Sequence, residues 1–552
     1  MKKYVIGIDY GTLSARCVLV DTDDGAEVAE SVLDYAHGVM DDRLPCGKEL
    51  PKLYALQHPQ DYLDVLRFTV RDVFSKSGVS RDSVVGMGID FTSCTVLPID
   101  KDGVPLCFYE KYKSEKHAYV KLWKHHAAQP EADEITALAE ARGERWLGIY
   151  GGSVSSEGTF PKLLQLLREA PEVYNDTARF LEAGDWLSLM LTGTESHSAV
   201  FAAYKALWND ESGYPSNDFL VALDKRLDGV VGTKISENVL AMDKIAGVLN
   251  EKGAELTGLN VGIPLALPMI DAHSAMPAAG CTEEGDLILI VGTSGCQILN
   301  AASKKSVEGI CGYVKDGVIP GFYTYEAGQA AVGDVFGWFV KNCVPAEYSA
   351  EAEKRGISIH KLLRERASKL RVGQSGLLAL DWLNGNRSVL ADSELGGMIL
   401  GLTLQTKPEE IYRALIEATA FSTRMILEHY EQNGIEIKRV CAAGGIAQKD
   451  DMMMQIYADV LGKEISIAAS AQAGALGSAI YAAVAAGLYP SVSEASRRFV
   501  KAPLRVYRPD PMDGEAYSVL YAEYKRLHDY FGKGENNVMK TLRKLGGNAL
   551  EK

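Results

Sequence analysis

Two segments of this chain, 281 residues apart, share one design. In the first, Asp9-Tyr10-Gly11-Thr12-Leu13-Ser14 joins a β-type run, Tyr4–Ile8, to a second run, Ala15–Val20. In the other, Asp286–Val291 leads through Gly292-Thr293-Ser294-Gly295 into Cys296–Leu299. A strand, a Gly-Thr turn carrying hydroxyls and a returning strand can cradle phosphate, because turn N–H groups and the Thr12 and Ser14 hydroxyls converge on its oxygens. Asp9 is then placed for a hydrated Mg²⁺, an ion that keeps several waters and takes one or two carboxylates plus substrate phosphates. Taken singly, either turn also suits an ordinary hairpin. Their recurrence at close to half of 552 residues points to two related lobes, each presenting one hairpin to a shared cleft.

Length and composition agree. Single cores stop growing near ~250–300 residues, and a chain 47% hydrophobic and 24% charged can bury a core in each half. A net charge of −15 argues against nucleic acid or an anionic membrane surface as the main partner. The sequence shows no basic-plus-apolar leader and no run of 18 apolar residues. Its nine cysteines are scattered without a Cys-x-x-Cys pair, so reduced thiols and a cytoplasmic setting are expected. Alternation of β-type runs such as Val84–Ile89 with helical stretches such as Tyr62–Phe74 says α/β.

A third nucleotide-type element comes late. The short strand Lys438–Ala443 runs into Gly444-Gly445-Ile446-Ala447-Gln448, and a helix is expected over Lys449–Leu461. Paired glycines between strand and helix let backbone approach a flat ligand, and a helix N-terminus favours anions. The run Ala471–Ala486 is a helix of unusually small residues, suited to close packing where lobes meet or to an ordinary buried position. Asp271 ends the apolar run Ile263–Ile270, expected to be a buried strand. A carboxylate there is placed for chemistry in an open α/β sheet, as a base that takes a hydroxyl proton during phosphoryl transfer. It equally suits the cap of a helix over Ala272–Ala279. His273, His125 and His126 lack partners at metal-ligand spacing, so zinc is not expected and a solvated or hydrogen-bonded imidazole is.

Asp9-x-Gly11-Thr12-x-x-x-Arg16, Asp271-x-His273, Gly292-Thr293-Ser294 and Gly444-Gly445 occur in the order and spacing of the FGGY carbohydrate kinases, and the chain resembles that family over nearly its whole length. Longer segments resemble the family's ribulose-phosphorylating branch: Gly88–Thr95, Leu122–Ala127, Lys205–Asn209, Glu326–Asp334 and Leu380–Arg387. The resemblance implies an actin/hexokinase-like α/β fold, with ribonuclease-H-like lobes at 1–284 and 285–552 and with sugar and ATP in the cleft between them. It implies transfer of the γ-phosphoryl of ATP to O5 of L-ribulose, with Asp271 as general base and Asp9 beside Mg²⁺. Gly11, Thr12, Ser14 and Arg16 would surround the transferring group. Gly292, Thr293 and Ser294 would meet ATP phosphates, and Gly444, Gly445 and Gln448 the adenosine side. Sugar contacts would come from Ser93, Lys205, Asp271 and Glu326.

The residues themselves leave some of these roles open. Lys205 and Glu326 suit a polyol in a pocket that excludes water, although Lys205 read alone is a surface lysine at a helix start. Glu326 stands among Phe322, Tyr323 and Tyr325, so partial burial with a partner is expected. Arg16 could stabilise transition-state charge or hold Asp9 in place. Ser93 stands where the family commonly has alanine, and Ala203-Tyr204 precedes Lys205 where Gly-His is frequent, which leaves substrate breadth open. A homodimer is compatible with the sequence. The rival readings are a kinase for another ketopentose or polyol and an actin- or Hsp70-like ATPase, which would have no use for Lys205 and Glu326.

Other stretches are structural. Pro161–Arg168 carries a leucine stripe, and Asp185–Gly193 is expected to be a short helix with an Asp cap and a Gly stop. Glu351–Leu370 is expected to be an exposed helix with an apolar side, in a lobe insertion, and the tail from Lys533 to be polar and mobile.

Overall fold

The computed structural model describes residues 2–550. Its first large sheet starts with a hairpin, β1 (Tyr4–Tyr10) and β2 (Ser14–Asp21), and adds β3 (Glu27–Asp34) antiparallel to β2. The helix α1 (Pro59–Ser77) then returns the chain to β4 (Val84–Phe91), parallel to β1. Three later strands complete it: β5 (Ile245–Val248), β6 (Pro264–Ala266) and β7 (Met269–Ile270). The order is β5-β6-β4-β1-β2-β3, with β7 also pairing β4. The apolar run Ile263–Ile270 is therefore two short strands broken at Leu267-Pro268, because proline supplies no N–H to the ladder.

The second large sheet repeats this plan. Its hairpin is β8 (Asp286–Val291) and β9 (Gly295–Ala301); β10 (Gly312–Lys315) and β11 (Tyr323–Gln329) extend it antiparallel. On the other side β12 (Arg439–Ala443) and β13 (Ile465–Ile467) add in parallel, and β14 (Arg505–Tyr507) closes the edge. In both sheets an antiparallel hairpin continues antiparallel on one side and parallel on the other, the doubling expected from the two Gly-Thr turns.

The helix of small residues forms as α2 (Ala473–Ala485) and lies on the first sheet, although it comes late in the chain. A Cβ on Gly88 of β4 would lie 2.1 Å from the Ser478 carbonyl oxygen, so only glycine lets the helix sit this close. On its other side a Cβ at Gly477 would lie 1.7 Å from the Ser274 carbonyl, and the Ser274 hydroxyl donates to the Gly474 carbonyl at 2.9 Å. The close packing therefore joins the late part of the chain to the first sheet.

Several local expectations are corrected. The helix expected over Lys449–Leu461 breaks at Asp450, which caps Asp451–Leu461 through the Met453 N–H; a separate turn of helix spans Gly445–Lys449. Glu182, not Asp185, sits at the N-cap of Ala183–Thr192, and Asp185 turns to His197 and to the Ser198 N–H (3.1 Å). The stretch Glu351–Leu370 falls in two helices, Ala346–Lys354 and Ile359–Ala367, around Gly356 at φ +63°, while the expected apolar side is there in the buried Leu362 and Leu363. The tail beyond Lys533 carries a helix, Val538–Leu550, with Lys540 paired to Asp392 at 2.5 Å.

Candidate active site

Three parallel strands of the first sheet bring three carboxylates to one edge. Asp9 on β1 is the register partner of Asp90 on β4, Met269 of β7 lies opposite Asp90, and Asp271 follows two residues later. Ligands of open α/β sheets bind beyond such C-terminal strand ends. Asp9 is also the register partner of Arg16 across the hairpin, and Arg16 donates to it at 3.3 Å, so Arg16 holds Asp9 in place. Burial pushes the Asp9 carboxyl upward against the pull of Arg16. The turn between them closes through the Gly11 N–H on the Ser14 carbonyl (3.0 Å), with Ser14 buried. Thr12 is braced from outside: its hydroxyl accepts from Trp123 at 3.1 Å and its carbonyl from Gln57 at 2.7 Å.

Asp90, beside Asp9, is a third carboxylate at this edge to which the sequence reading gives no role. It is fully buried; one oxygen accepts from the Ser478 hydroxyl of α2 at 2.7 Å, and the other has no hydrogen-bond partner among the described residues. Burial, then the charge of Asp9, pushes it well above its ordinary range. Its signals in the sequence are its place in the family-like segment Gly88–Thr95 and its being a lone carboxylate inside the apolar run Val84–Phe91, costly to bury without a role.

Asp271 opens the helix α3, Asp271–Ala278, as its first helical residue rather than its cap, which is Ile270 (α2 packs against α3). One carboxylate oxygen accepts the Ala272 N–H at 2.7 Å. Burial first, then the negative charge of Asp9, pushes its carboxyl up to about 7 against that hydrogen bond. A base near the working pH combines a useful ionised fraction with a strong pull on a proton.

Lys205 and Glu326 come together from distant parts of the chain. Lys205 ends the helix Ala199–Lys205, not starts one, and its ammonium lies 3.7 Å from Glu326, with the two side chains 14% and 8% exposed. Burial alone would neutralise Glu326, but the cations Lys205 and, behind it, Arg387 hold it below its ordinary range. The reading of His273 as solvated or hydrogen-bonded is corrected: it is buried against the Tyr204 ring at 4.8 Å, and neither ring nitrogen has a hydrogen-bond partner among the described residues. Its Nε2 lies 3.3 Å from Glu326, yet burial pushes its pKa down to about 4, so at neutral pH the contact is not an ion pair. Ser93 is half-buried in the turn after β4, and the buried Lys162 fixes that turn by donating to the Cys94 carbonyl at 2.6 Å.

The second hairpin is closed by the Gly292 N–H on the Ser294 carbonyl at 3.1 Å. The Gly292 and Thr293 carbonyls accept from Gly333 and Val332 at 2.9 and 2.8 Å, which fixes the turn. Thr293 itself is exposed and Ser294 half-buried, so their hydroxyls remain open to a ligand. Gly444 has φ +104°, and a Cβ there would lie 2.6 Å from the Val291 carbonyl, so the Gly444-Gly445 turn abuts this hairpin. Gln448 faces away from a free role: its amide donates to the Ser470 carbonyl at 2.8 Å and braces that loop. On β11, Gln329 is the register partner of Gly295, and Glu326 precedes it by three residues, so Glu326 and the hairpin lie about 10 Å apart along one strand.

The model of the FGGY family of carbohydrate kinases, N-terminal domain, matches residues 4–276, and that of its C-terminal domain matches 287–486. The chain belongs to the FGGY carbohydrate kinases. A ribulokinase of Halalkalibacterium halodurans is 50% identical to this kinase over 548 residues, 98% of the kinase and 97% of the relative. A ribulokinase of Shouchella clausii is 50% identical over 554 residues, 100% and 99% of the two chains. The crystal structure of xylulose kinase from Rhodospirillum rubrum superposes with a TM-score of 0.79 at 24% identity, over 95% of the kinase and 98% of that chain; this likeness shows the fold, the two-domain actin-like α/β architecture. Among the described residues no helix of the kinase is long and apolar enough to cross a membrane.

Proposed function

We propose that this kinase is a ribulokinase that transfers the γ-phosphoryl of ATP to O5 of L-ribulose, with Asp271 as the general base. The observation that carries the chemistry is Asp271 at the sheet edge, its carboxyl raised to about 7 beside Asp9 and within the field of Lys205 and Glu326. Ionised Asp271 orients the terminal hydroxyl and takes its proton as the new P–O bond forms. Lys205 donates to, and Glu326 accepts from, the sugar's hydroxyls; such a site rejects analogues lacking them, often by ~10⁴-fold or more. Arg16 holds Asp9, and the two Gly-Thr turns present N–H groups and hydroxyls to phosphate oxygens. Buried, hydrogen-bonding carboxylates on adjacent strands fit a hard divalent cation, so Asp9 would hold Mg²⁺, which when bound neutralises phosphate charge. The net charge of −15 and the free cysteines suit a cytoplasmic enzyme of small molecules, acting alone or as a homodimer.

Residues 1–284 and 285–552 would act as the sugar and nucleotide lobes, whose closure excludes the water that would otherwise accept the phosphoryl group. The test is ADP release with MgATP and a panel of L-ribulose, D-ribulose, L-xylulose, D-xylulose, ribitol and glycerol. Highest kcat/KM on L-ribulose is expected. Preference for another polyol would change the substrate and keep the mechanism, while ADP release indifferent to every sugar would overturn the kinase reading.

A further inference from the structure

The segment Leu380–Arg387 carries part of the family resemblance, yet the mechanism above leaves it unused. Its last residue reaches the sugar side. The Arg387 stem crosses β11 at Gly328, two residues past Glu326, where a Cβ would lie 3.1 Å from Arg387 Cδ and 2.9 Å from the Gly295 carbonyl oxygen. The loop behind it is anchored: the Gly328 N–H donates to the Ser388 hydroxyl at 3.2 Å, and Asn386 and Asp392 exchange two backbone hydrogen bonds at 2.8 Å. The guanidinium faces Glu157 at 3.6 Å, with the side chains 28% and 17% exposed. Glu157 in turn belongs to a turn packed on the Lys205 backbone, since a Cβ at Gly158 would lie 3.3 Å from the Lys205 carbonyl oxygen.

Two ion pairs thus join the N-terminal and C-terminal family domains in one neighbourhood, Lys205–Glu326 at 3.7 Å and Glu157–Arg387 at 3.6 Å. Each domain gives one acid and one base, and Arg387 is among the charges that keep Glu326 ionised. Both pairs are longer than a hydrogen bond, so donors and acceptors are left that a polyol hydroxyl can complete. A guanidinium offers five N–H donors and the carboxylate beside it accepts, which lets the pair read neighbouring hydroxyls of a sugar.

We propose that Glu157 and Arg387 are a second sugar clamp, determining specificity for the polyhydroxylated substrate alongside Lys205 and Glu326; the proposal rests on the reading of this site as a ribulose pocket. Because the clamp closes between domains, it ties sugar binding to their approach. A partly exposed ion pair serving stability alone contributes little, and its loss would not move a sugar KM.

The experiment compares KM for L-ribulose, KM for ATP and Tm in the wild type, Arg387→Gln, Glu157→Gln and the double variant. Each single change is expected to raise the sugar KM tenfold or more with the ATP KM within twofold. The double variant should lose less than the product of the two, because both side chains serve the same hydroxyls. If a Gln variant fails to fold, Arg387→Lys, which keeps the charge and loses the fork, should give an intermediate sugar KM. A sugar KM within twofold of wild type alongside a lowered Tm would overturn the clamp, as would a rise confined to the ATP KM. If the wild type itself ignores L-ribulose and phosphorylates another polyol, the ribulose reading fails, and the same comparison judges the clamp on that polyol.

Discussion

Asp271 is a carboxylate whose usefulness and cost have one origin. Burial and Asp9 raise its carboxyl to about 7, so kcat/KM for the sugar should climb as pH rises through that value and level off above it. The same burial bears on stability. Because the folded-state pKa lies above the unfolded one, about 3.9, the contribution is fully present below the unfolded value and is lost as pH rises through the folded one. Asp271→Asn should therefore melt higher than wild type at pH 8, with the gap shrinking toward pH 5. Each pH unit separating the folded and unfolded pKa values is worth roughly 1.4 kcal/mol of that difference. Equal melting temperatures at both pH values would refute the strained carboxylate. Lys205→Ala should raise the sugar KM and leave ATP affinity nearly unchanged, measured by titration of each ligand; a large loss of ATP affinity would contradict its placement. Asp271, Lys205 and Glu326 were legible as residues because motifs carry them. Asp90 and Arg387 stood in family-like segments, Gly88–Thr95 and Leu380–Arg387, without a role: a carboxylate in an apolar strand and an arginine in a loop acquire one only when register and glycine contacts show what they face.

At the scale of elements, α2 couples the late part of the chain to the sheet that carries the acids. Its hydroxyl at Ser478 holds Asp90, and its glycine at 477 lets it press on the helix that starts at Asp271. Gly477→Ala must push a Cβ against the Ser274 carbonyl and should cost about 1–3 kcal/mol in a urea melt. Gly445→Ala, with open space around it, should cost far less. Comparable losses would mean that α2 is not packed as described. The small-residue pattern announced this helix but left its neighbour open, since close packing is a property of two surfaces and the sequence displays one. Likewise Pro268 and Gly356 broke elements that apolar or charged runs alone suggested were continuous.

For the whole molecule, the recurrence of a Gly-Thr hairpin at half-length was enough to anticipate two sheets of one plan, because each hairpin fixes the same antiparallel-then-parallel order around it. It could not anticipate that residues distant in sequence, Lys205 with Glu326 and Glu157 with Arg387, would pair across the domains. The proposed function seats proton transfer at the sheet edge, and the proposed sugar contacts lie at the domain junction. Calorimetric binding of L-ribulose and ATP to Asp271→Asn, together with its steady-state turnover, separates the two in one protein. Affinity for both ligands should stay near wild type while kcat falls at least a hundredfold, in line with the ~10²–10⁴-fold that a general base contributes. Near-normal turnover by that variant would show that Asp271 is not the base.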